Sequence, residues 1–130
     1  MTFTQSVRSV ISKYAVFAGR ASRSEYWYWI LGLVLVSIVL SIVEGALVAP
    51  LLGFEPFAEE AGQPLNWLFS LIIFIPTLAV AARRLHDMGR SGWWLLIQII
   101  PIIGALVLLW WLTRPSDAGE NAYGAAPAAA

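Results

Sequence analysis

Apolar positions gather into three long runs separated by short polar stretches. Tyr26 to Ala49 reads YWYWILGLVLVSIVLSIVEGALVA, Leu65 to Ala82 reads LNWLFSLIIFIPTLAVAA, and Trp93 to Leu112 reads WWLLIQIIPIIGALVLLWWL. A helix needs about 20 apolar residues, roughly 17 to 25, to cross the hydrocarbon core of a bilayer. A spanning segment must also satisfy its own backbone polar groups, which a helix does. No alternation suggests a barrel. The pattern therefore predicts an all-α fold: an integral membrane helical bundle with three transmembrane helices at about 26–49, 65–82 and 93–112. The first run exceeds the roughly 7 to 15 apolar residues of a secretory leader, and Pro50 follows its one small-residue site, Ala46 and Ala49, so it is read as a retained helix. Ahead of it, Phe3, Val7, Val10, Ile11, Tyr14 and Ala18 share one helical face, and Arg8, Ser9, Ser12 and Lys13 share the other. That spacing predicts an interfacial amphipathic helix lying in the membrane plane, or one packed against the protein's own helices. Pro76, and Pro101 with Gly104, predict kinks in the second and third helices. Pro101 as the tip of a re-entrant hairpin, giving an even number of passes, is held as an alternative only, because about 20 residues are too few for two full spans. Residues 1–114 are read as a single membrane domain, and 115–130, rich in Gly, Ala and Pro, as a poorly ordered tail.

Composition sharpens this picture. The chain is 59% hydrophobic and 12% charged, about half the charged share of a soluble domain. That is too little charge to cover a water-facing surface. Net charge is zero and no nucleic-acid partner is expected. The absence of cysteine removes disulfides, thiolate zinc sites and cysteine nucleophiles. A single histidine, His86, rules out an all-histidine metal site within one chain, and no metal or cofactor is expected.

Charge placement says more than charge total. Arg8, Lys13, Arg20 and Arg23 precede the first run; Arg83, Arg84 and Arg90 lie between the second and third; only Arg114 sits elsewhere. The loop at 53–64 holds Glu55, Glu59 and Glu60 and no base. Positive residues mark the cytoplasmic side, so the N-terminus and the loop at 83–91 are expected in the cytoplasm and loop 53–64 outside. With three spans the tail is outside too. Interface anchors follow the same plan: Trp27, Trp29, Trp93 and Trp94, with Tyr26 and Tyr28, at the cytoplasmic boundary, and Trp67, Trp110 and Trp111 at the opposite one.

Two charge-dense clusters then share one face. One is Arg20, Arg23 and Glu25; the other is Arg83, Arg84, His86, Asp87 and Arg90. Arginine grips carboxylate or phosphate with a two-pronged fork. The clusters therefore predict either ion pairs between helix ends, through Glu25 and Asp87, or a cationic surplus that holds an anionic lipid headgroup or another anionic ligand. His86 beside Asp87 invites a catalytic reading, but neighbours in sequence do not face each other on a helix, and a histidine at a helix end more often caps carbonyls or pairs with a neighbour. Sensing of pH through His86 is a further reading. Glu44 sits near the outer end of the first run, within reach of the interface. Gln98, deeper in the third, is expected to bond to a neighbouring helix.

The strings FAGRASRSEYW at Phe17 to Trp27, RRLHDMGRSGWW at Arg83 to Trp94 and GENAYGAAP at Gly119 to Pro127 together resemble the bacterial inner-membrane family known as domain of unknown function 805, the YhaH-like proteins. The resemblance covers nearly the whole chain, in order. It implies a multi-spanning protein of the bacterial cytoplasmic (inner) membrane and no known reaction, cofactor or catalytic residue. Were Asn121 and Tyr123 of the tail string to fold back on the arginine clusters, the number of spans would differ.

The function these features predict is that of a small, non-enzymatic inner-membrane protein of unknown biochemical activity. Its cytoplasmic rim of Arg20, Arg23, Arg83, Arg84 and Arg90 would engage anionic lipid or a partner protein. The expected partners are membrane lipids, and a homo-oligomer or another membrane protein. The alternative is an oligomeric transporter or channel subunit with Gln98, Pro76 and Pro101 along its pathway; an intramembrane enzyme using His86 and Asp87 is a third.

Overall fold

Long apolar stretches without glycine clusters become long helices. In the computed structural model, which describes residues 1–127, the elements are helical: α1 (Phe3–Ser12), α2 (Arg23–Val43), α3 (Pro64–Asp87) and α4 (Ile103–Leu112). α2 continues through a π-helical turn, Glu44–Val48, into Ala49–Leu51, so 29 residues run without a break. At about 1.5 Å rise per residue, this rod and the 24 residues of α3 both exceed the roughly 30 Å of a hydrocarbon core. Only 6% and 28% of their most apolar windows are buried. The core helix of a water-soluble protein would be mostly covered; these present their apolar side chains outward, as lipid-facing helices do.

The third apolar run is not one helix, which corrects the continuous span expected at 93–112. Gly92–Ile99 winds as a 3-10 helix, Ile100 is extended, and Ile102 takes φ +65° before α4 begins. Pro101 supplies the cause. It lacks the N–H a continuing helix needs, and its ring pushes the residue before it out of helical geometry. A β-branched residue at positive φ is strained, so the reversal is held by contacts on either side of it. Gly104 lets the two limbs close, because a Cβ there would fall on the Ile97 carbonyl. At the far end the rings of Trp94 and Trp111 meet edge to face at 5.5 Å, and the Arg90 guanidinium lies 4.2 Å from the centre of Trp111. Trp110 and Trp111 therefore do not stand at the boundary opposite Trp93 and Trp94, as a straight helix would require. Each limb, of 8 and 10 residues, is about 15 Å long, roughly half a hydrocarbon core.

Contacts divide the chain into two units, one made of the segments 1–29 and 75–127, the other of 30–74. In the second unit Glu44 is 4% exposed and is held within the protein. Its carboxylate accepts the Asn66 backbone N–H at 2.8 Å and the Asn66 side-chain amide at 3.1 Å. Asn66 lies in the first turn of α3, where N–H groups lack helical partners and a negative charge is favoured. Gly45 leaves room for the ring of Phe57, which occupies the space a Cβ would take.

In the first unit α1 opens with a capping box. Thr2 Oγ1 accepts from Gln5 N–H and Gln5 Oε1 accepts from Thr2 N–H. The helix faces the protein with a narrow stripe, Ser6 and Val10, both buried. Its larger apolar residues Phe3 and Ile11 stay exposed.

Candidate functional site

The last turns of α3 carry Arg83, Arg84 and Asp87, all at most 1% exposed. The segment that leads into α2 brings Arg20 and Glu25 against them. Ser22 caps α2 by accepting the Glu25 N–H at 3.2 Å. The Glu25 side chain does not fold back to complete a capping box. It takes Arg83 Nη1 at 3.0 Å and the Ser9 hydroxyl of α1 at 2.6 Å, tying three segments together.

Asp87 is the centre of the arrangement. One oxygen accepts Arg20 Nε at 2.9 Å, and the other accepts Arg84 Nη1 at 2.6 Å and the Ser116 hydroxyl. A buried guanidinium is costly unless every donor is satisfied, and Arg20 uses all five of its N–H groups. Nε goes to Asp87. Nη1 donates to the carbonyls of Gly119 (2.7 Å) and Gly124 (3.2 Å). Nη2 donates to the carbonyls of Asp117 (2.8 Å) and Asp87 (3.2 Å). The segment after residue 115 is thus folded around Arg20. Arg84 donates to the carbonyls of Leu112 (3.3 Å) and Arg114. Arg83 Nε reaches the Val16 carbonyl at 3.0 Å, and its Nη2 is buried with no partner among the described residues.

His86 and Asp87 point to different neighbours. Nδ1 of His86 lies 2.9 Å from the Gly19 carbonyl, which can only accept, so that nitrogen carries the proton. The imidazole stacks on Tyr123 at 4.0 Å with the rings 2° from parallel. Asn121 donates to the His86 carbonyl at 2.9 Å and caps the turn at Tyr123 N–H at 2.8 Å. With both Asp87 oxygens bound elsewhere, the two residues do not form a proton-transfer pair.

The remaining cluster arginines lie outside this core. Arg23 is exposed and donates to the Thr113 carbonyl at 3.2 Å. Arg90 covers Trp111, and Arg114 covers Trp110 at 3.7 Å. Among the tryptophans, Trp27 donates to the Leu112 carbonyl at 2.9 Å. Trp29 is packed inside, 6% exposed, with its indole on Thr77 Oγ1 at 3.1 Å, and so is no boundary ring. Trp67, Trp93, Trp94 and Trp110 are exposed. Gln98 and Pro101 are exposed on the hairpin, and Pro76 is buried in α3. Ser9, Ser116 and the carbonyls of Asp117, Gly119 and Gly124 escaped the sequence reading. Backbone acceptors leave no trace in side-chain patterns, and only the Asn121 and Tyr123 string hinted at them.

Residues 14–125, which include this hub and the tail folded on it, match the family described as "Protein of unknown function (DUF805)". The chain belongs to the DUF805 family. It is 38% identical to inner membrane protein YhaH of Escherichia coli (strain K12) over 118 residues, 91% of this chain and 92% of YhaH. Inner membrane protein YhaI of the same strain is 39% identical over 120 residues, 92% of each chain. Uncharacterized protein YiiR is 36% identical over 86 residues, 65% of this chain and 49% of YiiR. No solved structure matches the chain. An inner-membrane location for this DUF805 chain is supported by YhaH and YhaI, and agrees with two helices that bury little of their apolar surface. None of the three names carries a reaction.

Proposed function

We propose that this DUF805 protein spans the inner membrane twice, with both termini cytoplasmic, and binds anionic lipid through the exposed bases of its cytoplasmic rim. The observation that carries this is a segregation of charge. All eight Lys and Arg residues fall in the unit formed by 1–29 and 75–127, and none in 30–74. In this reading a hairpin whose ends meet keeps Arg114 on the face of the other seven, where a third span would place it opposite; positive charge on one side fits the cytoplasmic rule better.

The hub changes which arginines are available. Arg20, Arg83 and Arg84 are buried and bonded internally, so lipid contact falls to Arg8, Lys13, Arg23, Arg90 and Arg114, whose side chains reach the surface. Each base near an anionic leaflet contributes about 1 kcal/mol. The exposed Phe3 and Ile11 of α1 add apolar insertion beside Arg8, with Lys13 just past the helix end, as interfacial helices do.

Two measurements test the reading. Reporters fused after Arg90 and at the C-terminus should both report cytoplasmic; an external C-terminal reporter would restore an odd number of spans. Glutamine at Arg8, Lys13, Arg23, Arg90 and Arg114 together should abolish the preference for anionic over neutral vesicles in a flotation assay. An undiminished preference would remove the lipid role.

A further inference from the structure

A cavity of about 410 Å³ opens beside His86, within the range of small-ligand sites, about 300–1,000 Å³. Phe17, Leu78, Trp93, Leu95 and Leu96 make an apolar wall, and His86 and Ser91 supply the polar end. Gly92 forms part of the rim; a Cβ there would press on Ala82 at 3.0 Å and come within 3.6 Å of His86 Nε2. The glycine thus keeps the 3-10 limb close to α3, beside the edge of the imidazole that carries Nε2.

The protonation pattern tells what that end accepts. His86 Nδ1 donates to the Gly19 carbonyl, so in the neutral ring Nε2 is a bare acceptor, and it has no partner among the described residues. Ser91 Oγ already accepts the Trp93 N–H at 3.3 Å, which leaves its hydroxyl proton to donate. An occupant must therefore offer a donor to Nε2, an acceptor to Ser91 and an apolar body to the wall. The surrounding unit holds all eight bases but only half of the eight acids, which favours an anionic headgroup.

We infer that this cavity is a phospholipid site, which takes one acyl chain of an anionic lipid whose headgroup hydroxyl donates to His86 Nε2 and whose oxygens accept from Ser91. The inference rests on the reading of this face as a lipid-binding rim, and adds a headgroup preference that charge alone cannot supply. A glycerol headgroup meets every requirement.

Phosphatidylglycerol and phosphatidylmethanol of identical acyl chains carry the same charge and differ in the hydroxyls. Native mass spectrometry of the full-length protein with each lipid should show phosphatidylglycerol retained roughly threefold to tenfold better, the worth of one hydrogen bond. His86→Asn keeps an amide N–H for Gly19 and deletes the Nε2 acceptor, so the two lipids should become equal. Leu96→Trp, at an exposed wall position, should lower retention of both lipids, and decides the matter should His86→Asn fail to fold. Equal retention by the parent protein, an intact preference in His86→Asn, or unchanged retention in Leu96→Trp would each overturn the inference. The glutamine variant of the five exposed bases separates the two proposals: it should lose the preference for anionic over neutral vesicles while the lipid it retains still favours glycerol. A variant that still prefers anionic vesicles and shows the glycerol preference would sink the rim and leave the cavity standing.

Discussion

Asp87→Ala is the most severe single perturbation this fold offers. The carboxylate is fully buried, and two guanidinium groups that are themselves at most 2% exposed depend on it, Arg20 at 2.9 Å and Arg84 at 2.6 Å. Removing one partner of a buried ion pair costs about 3–5 kcal/mol, because the charge left behind has neither water nor a counter-ion. Here two cations lose theirs, so the upper end applies, a large part of a typical stability of about 5–15 kcal/mol. Arg23→Ala is the matched control: it is exposed and makes one hydrogen bond to a carbonyl, so a change within about 0.5 kcal/mol is expected. Unfolding the purified protein in mixed micelles with a denaturing detergent measures both. Asp87→Ala should also release the segment after residue 115, which is anchored there by the Ser116 hydroxyl, and limited proteolysis will detect it. An Asp87→Ala protein within about 1 kcal/mol of the parent would refute the hub as the centre of this unit.

Three further outcomes follow from the same geometry. Gly104→Val drives a side chain onto the Ile97 carbonyl and should cost about 1–3 kcal/mol; cysteines at positions 94 and 111, bridged by a short bis-maleimide in the parent, should cross-link poorly in the variant, and undiminished cross-linking would dismiss the tight hairpin. Glu44→Ala strands the Asn66 N–H and amide at about 1–3 kcal/mol for a buried unsatisfied group, with Glu44→Gln intermediate; equal detergent-unfolding curves for all three proteins would contradict the clasp. Tyr123→Ala removes the stack on His86, worth about 0.5–1.5 kcal/mol, and should hasten proteolysis of the tail with global unfolding unaltered, while Tyr123→Phe, which keeps the ring, should behave as the parent.

The first two helices were legible because each apolar run is long enough to be read from hydropathy alone, and their observed bounds, Arg23–Leu51 and Pro64–Asp87, enclose the runs at 26–49 and 65–82. The third run has the same average apolarity yet folds back, because hydropathy sums over a window and is blind to the direction the chain takes through it. Pro101 marked a weak point but could not say whether the helix would kink or reverse. Within the site, the acidic and basic side chains were visible as two clusters. Their arrangement was not, since Arg20 takes four of its five bonds from backbone carbonyls at Asp87, Asp117, Gly119 and Gly124, and carbonyls belong to every residue alike. Trp29 was misplaced at the boundary for a related reason: a tryptophan near a helix end has the same sequence signature whether its indole meets a headgroup or, as here, Thr77.

Residue chemistry, summed along the chain, is enough to mark three stretches as apolar and to place every base outside 30–74, because transfer free energies are close to additive and need no knowledge of neighbours. Whether a stretch crosses or turns back, and whether an arginine faces a headgroup or a carbonyl, depends on partners far away in the chain. The Trp27 indole reaches Leu112, 85 residues on, and Arg20 reaches Gly124, 104 residues on. Such contacts form only once the whole unit has folded, and a buried charge must find them or not be buried at all.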